Sequence, residues 1–170
     1  MATITIRAMS VAFEPHFQWE SYEANGQTYR RGALLTYNTV GELIEASADE
    51  SNIAGIATMP GQNTTGTASR KKITFVPLTP AVIIEANMAA SASTSHTILG
   101  TVIGHVFSIV KRTTESDVPW VLDASDADSY ATASFRVIGL KDASGDINAR
   151  VYAVILASKS AWGGGVVVNE

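Results

Sequence analysis

The chain of 170 residues contains no cysteine, which removes at once a disulfide framework, a thiolate nucleophile and a zinc centre built on sulfur. Charge is scarce as well: 16% of residues, with 12 Lys and Arg against 16 Asp and Glu, and no basic run longer than Arg70-Lys71-Lys72. A net charge of -4 is poorly suited to neutralising phosphates, so nucleic acid is not an expected partner. No apolar run approaches the 18 residues of a membrane-spanning helix, and no membrane partner is expected. The opening Met1-Ala2-Thr3-Ile4-Thr5-Ile6-Arg7 alternates where a secretion signal would be continuously apolar, so the protein is expected to fold and act where it is made.

Long amphipathic helices are missing too, since no stretch combines a charged face with a 3.6-residue apolar period. What is present are short Val, Ile and Leu runs bounded by Gly, Asn, Asp, Ser or Pro, the pattern of an all-β sandwich or barrel of about ten short strands. The expected organisation is an N-terminal arm or first strand over residues 1–20, a β-domain over 21–160 and a C-terminal tail over 161–170. Asn25-Gly26 is a tight-turn signal and predicts a hairpin between strands near Phe17–Tyr22 and Gln27–Arg31. Residues 60–71 read as an exposed loop. Ile98–Val110 predicts one buried strand, bent at Gly100 and Gly104, closing a hairpin with Val118–Leu122. Asp123–Ser129 reads as a polar connection, and Ala133–Leu140 and Ala149–Ala157 as the last two strands.

Both ends carry more apolar surface than a frayed terminus tolerates. Ile4 and Ile6 alternate on one face, Phe13, Phe17 and Trp19 follow, and near the other end Trp162 leads through Gly163-Gly164-Gly165 to Val166 and Val168. These eight apolar residues, from Ile4 to Val168, are the candidate partner-binding residues.

Catalytic patterns are weak by comparison. His16, His96 and His105 have no metal-ligating spacing, and His105 reads as a satisfied core or edge histidine. Ser108 and Lys111 match Ser-x-x-Lys, but a strand points residues three apart to opposite faces. Asp123, Asp126 and Asp128 lack the spacing of a calcium loop, Asn63-Thr64-Thr65 is a sequon without a secretion signal, and the glycine run lacks the strand-before, helix-after setting of a phosphate cradle. No catalytic residue, metal or cofactor is expected, and the chain does not read as an enzyme.

The order Ala54-Gly55-Ile56-Ala57, a polar Thr/Gly loop, Ile73-Thr74-Phe75-Val76-Pro77 and Val82–Met88 resembles the capsid decoration (cement) proteins of tailed bacteriophages. Gly104–Val110, Val118–Asp123, Phe135–Leu140 and Arg150–Leu156 are similar to the second half of longer members, so the resemblance spans roughly residues 30–157. It implies a virion protein, made in the host cytoplasm, on the outer surface of an icosahedral head. Its partners would be the major capsid protein and further copies of itself, commonly as a homotrimer, with residues 1–20 lying along the coat. The alternative reading is a carbohydrate- or ligand-binding β-sandwich for adhesion to a host surface, with Trp120 or Trp162 and Tyr37 or Tyr130 as stacking platforms.

Overall fold

A computed structural model describes residues 1–13, 17–48, 50–63, 71–90, 95–112, 120–129 and 131–162. It is all-β, with eleven strands and two short 3-10 turns, at Gly100–Val102 and Ala157–Lys159, among the described residues. The strands are β1 (Ser10–Val11), β2 (Trp19–Glu23), β3 (Leu34–Tyr37), β4 (Leu43–Glu45), β5 (Ile53–Ala57), β6 (Lys71–Pro77), β7 (Ile83–Ala89), β8 (Val106–Lys111), β9 (Trp120–Ala127), β10 (Phe135–Leu140) and β11 (Arg150–Ile155).

They form two successive rings. The first is a closed barrel in the order β2-β4-β3-β5-β6. The second runs β7-β11-β10-β8-β9 and returns to β7 through a short parallel pairing of Met88 with Leu122 and Ala89 with Asp123. β7 has β11 along one side, while its other side is shared between β9 and β1, which pairs Ser10 with Glu85 and Val11 with Ile84. The span expected as one β-domain therefore holds two barrels over a common core.

Alternation explains which faces turn inward. Phe135 and Val137 of β10 and Val151, Ala153 and Ile155 of β11 are buried at every second position. β5 is buried along its whole length, and Gly55 makes this possible: a methyl group there would lie 2.4 Å from the Val76 carbonyl oxygen and 2.5 Å from Phe75 Cδ2. One apolar cluster joins Leu34, Ile53, Ile73 and Phe75 of the first barrel to Ile84, Phe107, Trp120 and Phe135 of the second. Across the junction Glu45 accepts from Lys111 Nζ at 2.7 Å and from Trp120 Nε1 at 3.1 Å.

The chain ends bind the barrels together. Ala2 N–H donates to Asp146 Oδ1 at 2.6 Å, Ile4 N–H to the Ile147 carbonyl at 2.9 Å, Arg7 N–H to Asn87 Oδ1 at 3.0 Å and Ala12 N–H to the Ile83 carbonyl at 2.9 Å. Met9 is buried, and with Ala8 it lies against Gly32, whose positive φ and missing Cβ let the strap approach. Residues 2–12 therefore run along the second barrel, as strand at Ser10–Val11 and with an isolated bridge from Thr3 to Ile147, and Ile4 and Ile6 are half-buried there.

Other expectations change. Asn25-Gly26 is a turn with Gly26 at positive φ, but Gln27–Arg30 is not a strand; β2 instead pairs antiparallel with β6 and touches β4 in parallel. The stretch from Ile98 to Val110 is a 3-10 turn and a bend before β8 begins at Val106, with Gly104 at positive φ. Asp123–Ala127 belongs to β9. The pairing of β8 with β9 and the final β10–β11 hairpin stand as expected; the loop residues 64–70 and Val118 and Pro119 lie outside the described residues.

Candidate partner-binding surface

Entry into the first barrel is lined with aromatic side chains that the core does not take up. Phe13 is 56% exposed, Phe17 87%, Trp19 48% and Tyr22 42%, all within ten positions of one another. Such crowding of large apolar groups on a surface marks a contact site more often than chance exposure does. Phe13 stacks on Tyr152 of β11 at 5.5 Å, so the row begins on the second barrel and ends on the first. Outward-facing Tyr22 carries Lys72 Nζ 5.7 Å from its ring, and Lys72 also pairs with Glu20 at 3.7 Å. This exposed pair contributes little stability.

Trp162 has a different role from the one its sequence position suggests. Its ring is half-buried and reaches Trp19 at 4.8 Å, Tyr37 at 6.1 Å and Phe75 at 6.5 Å, while Nε1 donates to the Ala54 carbonyl at 2.5 Å. Ala161 N–H donates to Ile53 at 2.9 Å and Ser160 Oγ to the Leu78 carbonyl at 2.6 Å. The segment leaving the second barrel thus plugs one end of the first. Ile4 and Ile6 are half-buried against the body, and Val166 and Val168 lie outside the described residues. The eight candidates therefore divide: Phe13, Phe17 and Trp19 are exposed, Ile4 and Ile6 are half-buried, and Trp162 packs on the first barrel.

For the stacking alternative, Trp120 is buried and spends its Nε1 on Glu45, so it offers no platform. Trp162 and Tyr37 do meet, but edge to face around the plug, and Tyr130 lies outside the described residues.

Polar clusters elsewhere are occupied with structure. His105 is exposed rather than buried: its strand has not yet begun, and Nδ1 pairs with Asp128 Oδ2 at 2.5 Å. That hydrogen bond holds the Asp128 carboxyl below the usual carboxylate range, with help from the Val106 N–H. Asp128 sits at positive φ, where Asp is among the more tolerant residues. Asp126 accepts from Thr132 Oγ1 and Asp123 from Ser125, and among the described residues no group of three His, Asp or Glu could hold a metal. Ser108 is buried while Lys111 reaches Glu45. Arg150 grips Asp142 through Nε at 2.9 Å and Nη2 at 2.7 Å and also reaches Glu85, which pairs with Lys141 as well. The pairing keeps Asp142 below its usual range and raises Arg150.

One buried group gave no signal in sequence. Glu23 ends β2 inside the fold, where Oε2 accepts from Gln62 N–H and Asn63 N–H, both at 2.8 Å. Tyr29 is buried beside it; among the described residues neither its hydroxyl nor Glu23 Oε1 makes a hydrogen bond, and burial, reinforced by the Glu23 carboxylate, pushes the phenol well above its usual range. Asn63, the sequon residue, is buried and donates to Asn25 Oδ1 at 2.6 Å.

The chain matches no family model, no curated protein and no solved structure.

Proposed function

We propose that this protein is an adhesive structural component of a virus particle, binding the outer surface of a phage capsid and bridging major capsid protein subunits. The observation that carries the reading is the exposure of four large aromatic side chains, Phe13, Phe17, Trp19 and Tyr22, within one short stretch of sequence, on a body whose other aromatic residues mostly serve its core. Burying such side chains on a partner contributes about 1.5–3 kcal/mol each before ordering costs. Self-association, as in a homotrimer, would multiply weak single contacts. The two-barrel build supports this use, because a rigid scaffold presents the row without loss of its own packing.

Deleting residues 1–15 would confound adhesion with folding, since Met9 and β1 belong to the body. The cleaner variants are Phe17→Ser and Trp19→Ser. Phage heads stripped of surface proteins should bind the wild-type chain in sedimentation and lose it with Phe17→Ser. Wild-type protein left in the supernatant, or undiminished binding by both variants, would sink the reading.

A second reading uses the outer face of β2. Tyr22, beside Glu20 and Lys72 on the outer face of β2, combines an aromatic face with charged hydrogen-bonding groups, which is also how sugar rings are held. A glycan array with no retention removes it.

A further inference from the structure

The segments Glu23–Tyr29 and Gly61–Asn63 are laced to one another. Gly61 N–H donates to the Tyr29 carbonyl and Gln27 N–H to the Asn63 carbonyl, both at 2.9 Å, while Gln62 N–H and Asn63 N–H share Glu23 Oε2. Asn63 is therefore buried and held through both of its backbone groups. Its Nδ2 donates to Asn25 Oδ1 at 2.6 Å, so a fixed donor sits on the side-chain carbonyl oxygen of an exposed asparagine.

The next residue is Gly26, exposed and at φ 76°, with nothing within 4 Å of where a Cβ would lie. No side chain of its own shields its backbone nitrogen, and attack by that nitrogen on Asn25 Cγ closes a succinimide ring. Negative charge then develops on Asn25 Oδ1, the oxygen on which Asn63 Nδ2 is already placed, and a preorganised donor at such a point lowers the barrier. Asn38 is the natural contrast. Its Oδ1 also accepts N–H groups, of Val40 at 3.1 Å and Glu42 at 2.9 Å, but Thr39 follows it and a branched side chain crowds the attacking nitrogen.

We propose that Asn25 is a modification site, converted without an enzyme to isoaspartate, with Asn63 as the donor to the developing oxyanion. In the first step the Gly26 nitrogen bonds to Asn25 Cγ and the Cγ–Nδ2 bond breaks; the amide leaves as ammonia, carrying the proton that the Gly26 N–H gives up. In the second step water adds its hydroxyl to the Asn25 main-chain carbonyl carbon, the bond from that carbon to the Gly26 nitrogen breaks, and the nitrogen regains a proton from the water. The net change turns a side-chain amide and a water into a carboxylic acid and ammonia. The product brings a second carboxylate to the turn that Asn63 ties to Glu23, and it inserts a methylene into the backbone between β2 and Gln27. Neither step needs a capsid or any other partner.

The full chain is aged in mildly alkaline buffer and mapped by peptide mass spectrometry, with isoaspartate methyltransferase labelling to identify the product. Isoaspartate is expected at position 25 and not at Asn38, and conversion is expected to be no slower in the folded chain than in urea. Slower conversion in the folded chain, or equal conversion at Asn38, overturns the site. Asn63→Ala is expected to lower the ratio of the folded rate to the urea rate by at least about tenfold, and an unchanged ratio overturns the role of Asn63. Gly26→Asp keeps a residue that tolerates positive φ and leaves the buried cluster untouched. Asn25 is expected to stay intact in that variant, and conversion at the wild-type rate overturns attack by the Gly26 nitrogen.

Discussion

The indole of Trp162 meets the indole of Trp19 edge to face at 4.8 Å, although one opens the first barrel and the other follows every strand of the second. Because Nε1 of Trp162 is held on the Ala54 carbonyl, the contact is fixed from both the polar and the apolar side of the ring. Trp162→Ala is expected to destabilise the fold by about 3 kcal/mol, the lower end for removing a large aromatic, since the ring is only half-buried. Trp162→Phe should lose about 1 kcal/mol with the hydrogen bond. Urea unfolding measures both, and a cost for Trp162→Ala no larger than for Trp162→Phe would contradict the plug.

Glu23→Ala is expected to cost about 3 kcal/mol, because two buried N–H groups, of Gln62 and Asn63, lose a charged acceptor. The same variant should speed amide exchange at Asn63. Stability unchanged from wild type would show that water replaces the carboxylate without loss.

Acid should act through Asp142. Its folded pKa is lowered by Arg150, so the unfolded chain takes up that proton near pH 4 and the folded chain only at lower pH. The bond therefore stabilises the fold above about pH 4, and the benefit is lost as pH falls through the depressed value. The wild-type urea midpoint should drop more steeply on acidification than that of Asp142→Asn, and parallel curves would rule this out.

Gly55→Ala should cost about 3 kcal/mol through overpacking against Val76 and Phe75. Gly41→Ala, at positive φ with open space around it, should cost about 1 kcal/mol from backbone strain alone. Thermal melts of the two variants give the ranking, and the reverse order would refute the close approach of β6 to β5.

Phe17→Ser should leave stability within about 0.5 kcal/mol of wild type, as its side chain is almost fully exposed. Any larger loss on calorimetry would mean that the ring serves the fold and not a partner.

Class and most strand positions were legible because alternation survives in sequences such as Phe135–Leu140 and Arg150–Ile155, where one face is buried and the other wet. The partition into two rings was not, since it depends on which strands pair: β2 reads as a hairpin with residues after Asn25-Gly26, yet its partner β6 begins at Lys71. The exposed aromatic row was visible from the density of bulky residues near Phe17. Trp162 was misplaced because an aromatic residue before a glycine run looks terminal, and its contacts with Ala54 and Phe75 are invisible at that separation. Glu23 carried no signal, as an acidic residue at a strand end is ordinarily solvated.

The plug at Trp162 also imposes an order of events during synthesis. Every strand of the first barrel leaves the ribosome before Ser160, Ala161 and Trp162 exist, so that barrel waits with Tyr37 and Phe75 uncovered while the second is made. Completion of the early half thus depends on the late half having been translated. A prematurely terminated product would keep an open, sticky mouth and be recognisable to proteases as unfinished.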